Sequence, residues 1–301
     1  MKEFYYKNGM SITQIPKDTE VLFLDKYVTS FPTEEAFYLD NLKEYIVDPD
    51  NDVFKSINGI LYNKKETILY SYPAKCKIKK YIVPESIEMI CNSAFSGTID
   101  ELILNKNLRY IEEDAFRYST IIKLHIDDIN KYCEINFFNY YSSPFVSNPD
   151  LFIEGDEYST NTIRISAKVI PEYSFSGAES LEFVEINNCS SIGYEAFRNC
   201  DLTVVQLNSF EKLAIENFAF ADNDNLSFIS KVNSLCVGEK TFKKLNYLEA
   251  KVNSIVFVPE TFNSELKIKK FGVLKNDNTE MYVLPECTPE LILEIYKEEV
   301  K

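Results

Sequence analysis

The chain has 301 residues, 47 of them acidic and 32 basic, for a formal net charge of −15. Such a charge is repelled by phosphate backbones and anionic lipid surfaces, which argues against nucleic-acid partners. Hydrophobic residues reach 45%, enough for a packed fold, and only 8 glycines exclude a collagen-like or linker-like chain.

Taken from the N-terminus, residues 1–30 predict a cap containing one strand. The opening stretch MKEFYYKNGMSITQIP lacks the apolar core of a secretory signal. That points to a cytoplasmic protein, with the cell surface or secretion as the alternative if a leader has been removed or export is unconventional. No run of 18 apolar residues exists, so no membrane-spanning helix is expected. Within 48–80, residues 57–62 and 67–72 read as a β-hairpin about the turn Asn63–Lys64–Lys65–Glu66.

A six-residue unit, Ile-x-x-x-x-Phe, then takes over. It reads ICNSAF at 90–95, IEEDAF at 111–116, IPEYSF at 170–175, IGYEAF at 192–197, IENFAF at 215–220 and VGEKTF at 237–242, with a looser FVPETF at 257–262. The closing phenylalanines are 21, 59, 22, 23, 22 and 20 residues apart. A period of 20–29 residues marks a solenoid in which each copy is one turn of a coil. Ile and Phe should stack as ladders inside it, with the x-x-x-x-Phe segment as a one-turn helix. Between hexads runs a strand with inward residues at positions 1, 4 and 6: Ile121, Leu124 and Ile126; Leu181, Val184 and Ile186; Leu202, Val205 and Leu207. The long intervals before Phe95 (counted from Phe37) and before Phe175 hold irregular repeats near 48–80 and 129–160. The solenoid is expected over 31–285. Residues 286–301 should form a C-terminal capping helix, with Thr288 as N-cap and Pro289 at its first position.

Position 3 of each strand should face outward. It holds Glu101, Lys123, Phe183, Val204, Phe228, Tyr247 and Ile268. The last five form an apolar ladder, and exposed apolar bands mark partner sites. Phe183, Val204, Phe228, Tyr247 and Ile268 are therefore the candidate partner-binding residues. Beside them, position 5 is mostly polar and includes His125.

Catalytic signals are weak. His125 is the single histidine, so a triad or a histidine metal site would have to use it, and no G-x-S-x-G accompanies it. The carboxylate groups Asp127–Asp128, Asp222 with Asp224, and Glu112–Glu113–Asp114 form no consistent column. Calcium binding at the ADNDN turn around Asp222 is less expected than a solvated loop. The seven cysteines include no C-x-x-C pair and read as scattered buried thiols.

The phrase LEFVEINNCSSIGYEAFRNC (181–200) resembles the BspA-type leucine-rich repeat family, as does YIVPESIEMICNSAF (81–95). The 48–80 insertion looks like that family's hairpin-bearing repeat. Tyr132–Cys133–Glu134–Ile135–Asn136–Phe137 looks like its irregular repeat, with Tyr where Trp is usual. The resemblance implies a β-rich solenoid: a leucine-rich-repeat right-handed coil of short parallel strands with short helical turns and terminal caps. It also implies a non-enzymatic scaffold that recognises a protein or glycan through its curved sheet, in a role such as adhesion. No catalytic residue, cofactor or metal is carried over, and a monomer is expected. The alternatives are a carbohydrate-active enzyme on a β-solenoid and a cytoplasmic regulator of another protein.

Overall fold

The structure, a computed structural model, describes residues 2–156, 158–209, 213–229 and 241, and the backbone of residues 212 and 230. It also describes the backbone of the strands at 234–237, 244–245, 247–251, 255–257, 267–274 and 280–287. The chain packs as two compact units, one of residues 1–128 and 135–159, the other of residues 129–134 and 160–301.

In the first unit, β1 (Glu3–Tyr6), β2 (Val21–Leu24) and β3 (Glu44–Val47) form a parallel sheet. Residues 3–24 thus supply two parallel strands where one was expected. Then come β4 (Phe54–Ile57), β5 (Ile60–Asn63) and β6 (Ile68–Ser71), an antiparallel meander. The expected hairpin is β5–β6. A second one, β4–β5, turns on Asn58–Gly59, both at positive φ, the two-residue turn that asparagine–glycine favours. Gly59 is also required by space, because a Cβ there would lie 2.6 Å from Cβ of Glu44.

Two parallel ladders follow. The long one joins β7 (Lys80–Ile82), β9 (Ser96–Leu104), β11 (Tyr118–Ile126) and β13 (Asp150–Ile153); the short one runs from β6 through β8 (Met89–Ile90) and β10 (Tyr110–Ile111) to β12 (Asn136–Phe137). Parallel pairing of strands one coil apart is the arrangement of a β-solenoid. Phe37 does not join its interior. It sits half-buried in a short 3-10 segment, Thr33–Tyr38, and stacks on Tyr118 at 3.8 Å.

The second unit opens with α1 (Ile129–Tyr132), whose buried Tyr132 donates its hydroxyl to the Ser174 carbonyl and packs on Phe175. Its long sheet contains β14 (Thr162–Ile165), β16 (Phe183–Asn187), β18 (Val204–Asn208), β20 (Ser227–Ser230), β23 (Tyr247–Lys251) and β25 (Lys267–Leu274). To β25 are added β22 (Lys244–Leu245) and the antiparallel β26 (Glu280–Cys287). The short sheet is β15 (Val169–Ile170), β17 (Ser191–Ile192), β19 (Lys212–Ile215), β21 (Ser234–Val237) and β24 (Ile255–Phe257). The expected helix from Pro289, and the rings of Phe242 and Phe262, lie outside the described residues.

The inward ladders form as the spacing predicts. Ile90 pairs with Ile111, and Ile170, Ile192 and Ile215 fall in one column. Phe95, Phe116, Phe175, Phe197 and Phe220 are all buried. Their rings stack at 5.0 to 5.2 Å, parallel within 11°.

The x-x-x-x-Phe segments are turns, however, not one-turn helices. Their fourth residue is left-handed in every described copy: Ser93, Asp114, Tyr173, Glu195 and Phe218 all have φ between 52° and 59°. This directs N–H groups along the coil axis. The Phe175 amide donates to the Ala196 carbonyl, and the Phe197 amide to that of Ala219. A helix would satisfy those groups within its own turn and leave neighbouring coils unlinked. Gly193 allows the same closeness, since a Cβ there would lie 2.5 Å from the Glu172 nitrogen.

Buried asparagines complete the links. Asn223 donates to the carbonyls of Phe197 and Phe220 and accepts from the Leu202 amide. Asn105 and Asn51 bridge coils in the first unit in the same way.

Two outcomes follow for stability. Phe197→Ala removes a ring packed on both sides and should cost about 3–5 kcal/mol, measured by urea unfolding. Asn223→Ala strips partners from a buried amide and two carbonyls, at about 1–3 kcal/mol for each group left unpaired. It should lower the unfolding midpoint without changing the denaturant slope.

Candidate functional site

Alternation along each long strand turns every second side chain out of the coil. In the second unit the outward position-3 column is Thr162, Phe183, Val204 and Ser227. Phe183 and Val204 are half-buried in adjacent rungs, as expected. Phe228 is not in this column. It pairs with Val205 and is fully buried, with its ring edge-on to Phe220 at 5.6 Å.

The stretch from Leu226 to this strand is one residue shorter than its counterpart after Leu202, so the register slips by one. The slip buries a phenyl ring and places Ser230 opposite Leu207. The expected register would instead have aimed Lys231 inward, at a large desolvation cost. Tyr247 holds the column by its backbone pairing with Ser227. Ile268 leaves it: Leu248 faces Phe271, and Ile268 pairs with Leu245 and Cys287. The side chains of Tyr247 and Ile268 lie outside the described residues.

Beside Phe183 and Val204 runs a polar network. Arg164 donates to Glu185 at 2.9 Å, Asn208 donates to Asn187 at 3.0 Å, and Gln206 lies next to Glu185 in register. These groups are half-buried or exposed.

The outward face of the first unit differs. Its position-3 column is Lys80, Glu101, Lys123 and Asp150, and its position-5 column is Ile82, Ile103, His125 and Phe152. Lys80 binds Glu101 at 2.7 Å and holds that carboxyl below its usual range. His125 stacks on Phe152 at 4.6 Å. Desolvation under that ring lowers its pKa, although Glu101, 3.8 Å away, acts in the opposite sense. Its Nε2 is buried and makes no hydrogen bond among the described residues. It is therefore a half-buried imidazole rather than an ordinary exposed one. The rungs Lys80, Ile82, Asp150 and Phe152 escaped the sequence reading because each flanks an irregular segment; the alternation in KYIV and DLFI was the available signal.

The carboxylate candidates serve the scaffold. Asp222 accepts from Arg198 at 2.8 Å, Asp114 binds Arg117 at 2.9 Å, and Glu112 accepts from the Asn92 amide at 3.0 Å. Asn223, buried at the centre of the ADNDN turn, makes that turn a coil-to-coil link. Among the described residues no group of three His, Cys, Asp or Glu side chains could hold a metal ion. Cys76, Cys133, Cys189 and Cys200 are buried free thiols; Cys91 is half-buried, with desolvation pushing its pKa up to about 12. A cleft of about 460 Å³ opens among Tyr6, Met10, Phe31, Glu34 and Glu35 and contains no histidine or cysteine. Among the described residues, no helix is long and apolar enough to cross a membrane.

A solved structure shares this architecture. A leucine-rich repeat protein from Eubacterium ventriosum is 22% identical, with a TM-score of 0.56 over 75% of this chain and 58% of its own. A leucine rich cell surface protein from Faecalibacterium prausnitzii is 12% identical, over 86% of this chain and 79% of its own, with a TM-score of 0.40. The pneumococcal vaccine antigen PcpA is 18% identical, over 82% and 54%, with a TM-score of 0.36. The chain thus spans little more than half the length of the E. ventriosum and pneumococcal proteins. No curated protein matches it. The model of the BspA type leucine rich repeat region matches residues 66–147 and 148–269 in six copies, more than half of the sequence, and the chain belongs to that family.

Proposed function

We propose that this chain is a non-catalytic protein-binding module, and that the open face of β14, β16, β18 and β20 is its recognition surface. Leucine-rich repeat proteins typically mediate protein binding. The observation that carries the reading is the adjacent pair Phe183 and Val204, turned away from the interior and half-buried beside the Arg164, Glu185, Gln206, Asn187 and Asn208 groups. Apolar anchors ringed by hydrogen-bonding groups are the usual make-up of a protein interface. Tyr247 extends the proposed strip by register; Phe228, being core, does not belong to it.

The test is the double variant Phe183→Ser with Val204→Ser. Both side chains face outward, so melting should shift by no more than a few degrees. Affinity for a protein captured from native cells by the unmodified chain should fall at least tenfold. Unchanged capture by a folded variant would remove this face from the binding role. Release of reducing ends from polysaccharides by the purified chain would favour the enzyme alternative.

A further inference from the structure

We infer that the open face of β7, β9, β11 and β13 in the first unit is a self-association surface that takes a second copy of this chain. The position-3 column reads Lys80, Glu101, Lys123, Asp150 across four consecutive hydrogen-bonded strands, alternately positive and negative. Beside it, Ile82, Ile103, His125 and Phe152 form a largely apolar column, with Ile82 61% exposed.

The charge order is self-complementary under a two-fold axis. Place the axis parallel to the strands, midway between β9 and β11, with two such faces opposed. The strand direction is kept and the rung order reverses. Lys80 of one copy then lies over Asp150 of the other, and Glu101 over Lys123, and each pairing occurs twice because a two-fold contact is isologous. The apolar columns meet in the same operation, Ile82 over Phe152 and Ile103 over His125. A slide of one rung would instead set Lys80 over Lys123 and Glu101 over Glu101. Like charges directly opposed are repulsive, so the ladder selects one alignment.

Groups within one copy leave room for these contacts. Asp150 is exposed and makes no ion pair among the described residues. The Lys80 side chain is 63% exposed even while bound to Glu101. Lys123 lies over the Phe152 ring at 5.8 Å, in reach of a facing carboxylate. Eight residues a side is well short of the roughly 20–30 of a standard interface, so the association is weak and reversible. Exposed ion pairs add little affinity and are screened by salt; here they set the alignment while the apolar column supplies the contact.

Sedimentation equilibrium of the full chain over micromolar to submillimolar concentration tests this directly. The native chain should self-associate at 50 mM NaCl and do so at least tenfold more weakly at 500 mM. Glu101→Lys should be monomeric, because it sets a second ammonium group over Lys123. Lys123→Glu should be monomeric for the mirror-image reason, two carboxylates opposed. An equimolar mixture of these two variants should recover the dimer, since each then faces its opposite, and so should the charge-swapped double variant alone. Melting curves confirm that each variant is folded. A native chain that stays monomeric at the highest concentration overturns the inference, as does a folded Glu101→Lys that associates like the native chain. A mixture of folded single variants that fails to associate overturns it too.

Discussion

Phe175, Phe197 and Phe220 lie with ring centroids 5.0 and 5.2 Å apart and planes within 2° of parallel. That separation is close to the roughly 4.8 Å between hydrogen-bonded strands, so one backbone ladder sets the ring stack and the strand pairing together. The rings could not stack in this way if the coils were spaced otherwise. Each coil therefore depends on its neighbours. A repeat taken alone would expose its Ile and Phe to water and would not fold.

The turn before each phenylalanine shows what this coupling demands. Holding a non-glycine residue at positive φ costs on the order of 1 kcal/mol or more, yet Ser93, Asp114, Tyr173, Glu195 and Phe218 all accept it. The return is an inter-coil hydrogen bond, from the amides of Phe95, Phe116, Phe175 and Phe197. At Glu195 the conformation is secured further, because Arg198 binds it at 2.7 Å and reaches Asp222 in the next coil. Side-chain type at this turn position varies freely while the backbone does not. For that reason the sequence shows no glycine signature there, and the hexad reads as a helical turn.

Legibility tracks this division between constrained and free positions. Periodic Ile and Phe revealed the solenoid, and alternation within LEFVEI and LTVVQL placed Phe183 and Val204 on the outside. The reading failed wherever one residue was inserted or lost. In LSFIS a shortening by one residue exchanges Phe228 for Ser227, because in a strand a single-residue slip reverses every side chain. Phe37 follows an alanine as Phe95, Phe116, Phe197 and Phe220 do, yet no Ile-containing hexad leads to it, and it packs on the surface. Asn223 reads as part of a solvated loop because burial of an amide is decided by the coils on either side of it, not by the residues next to it in the chain.

What the ladders leave undetermined is the outward face, and the two units fill it with different chemistry. One presents Phe183 and Val204 with amides and an arginine–glutamate pair; the other presents alternating charges beside Ile82, Ile103, His125 and Phe152. With the inward positions committed to packing, an outward substitution costs little stability. The two proposed surfaces would therefore be distinguished by the order of side chains along a column. The local arrangement of charge then counts as well as the net value of −15: in the proposed self-association, the lysines at 80 and 123 would offset on one face the repulsion between acidic copies.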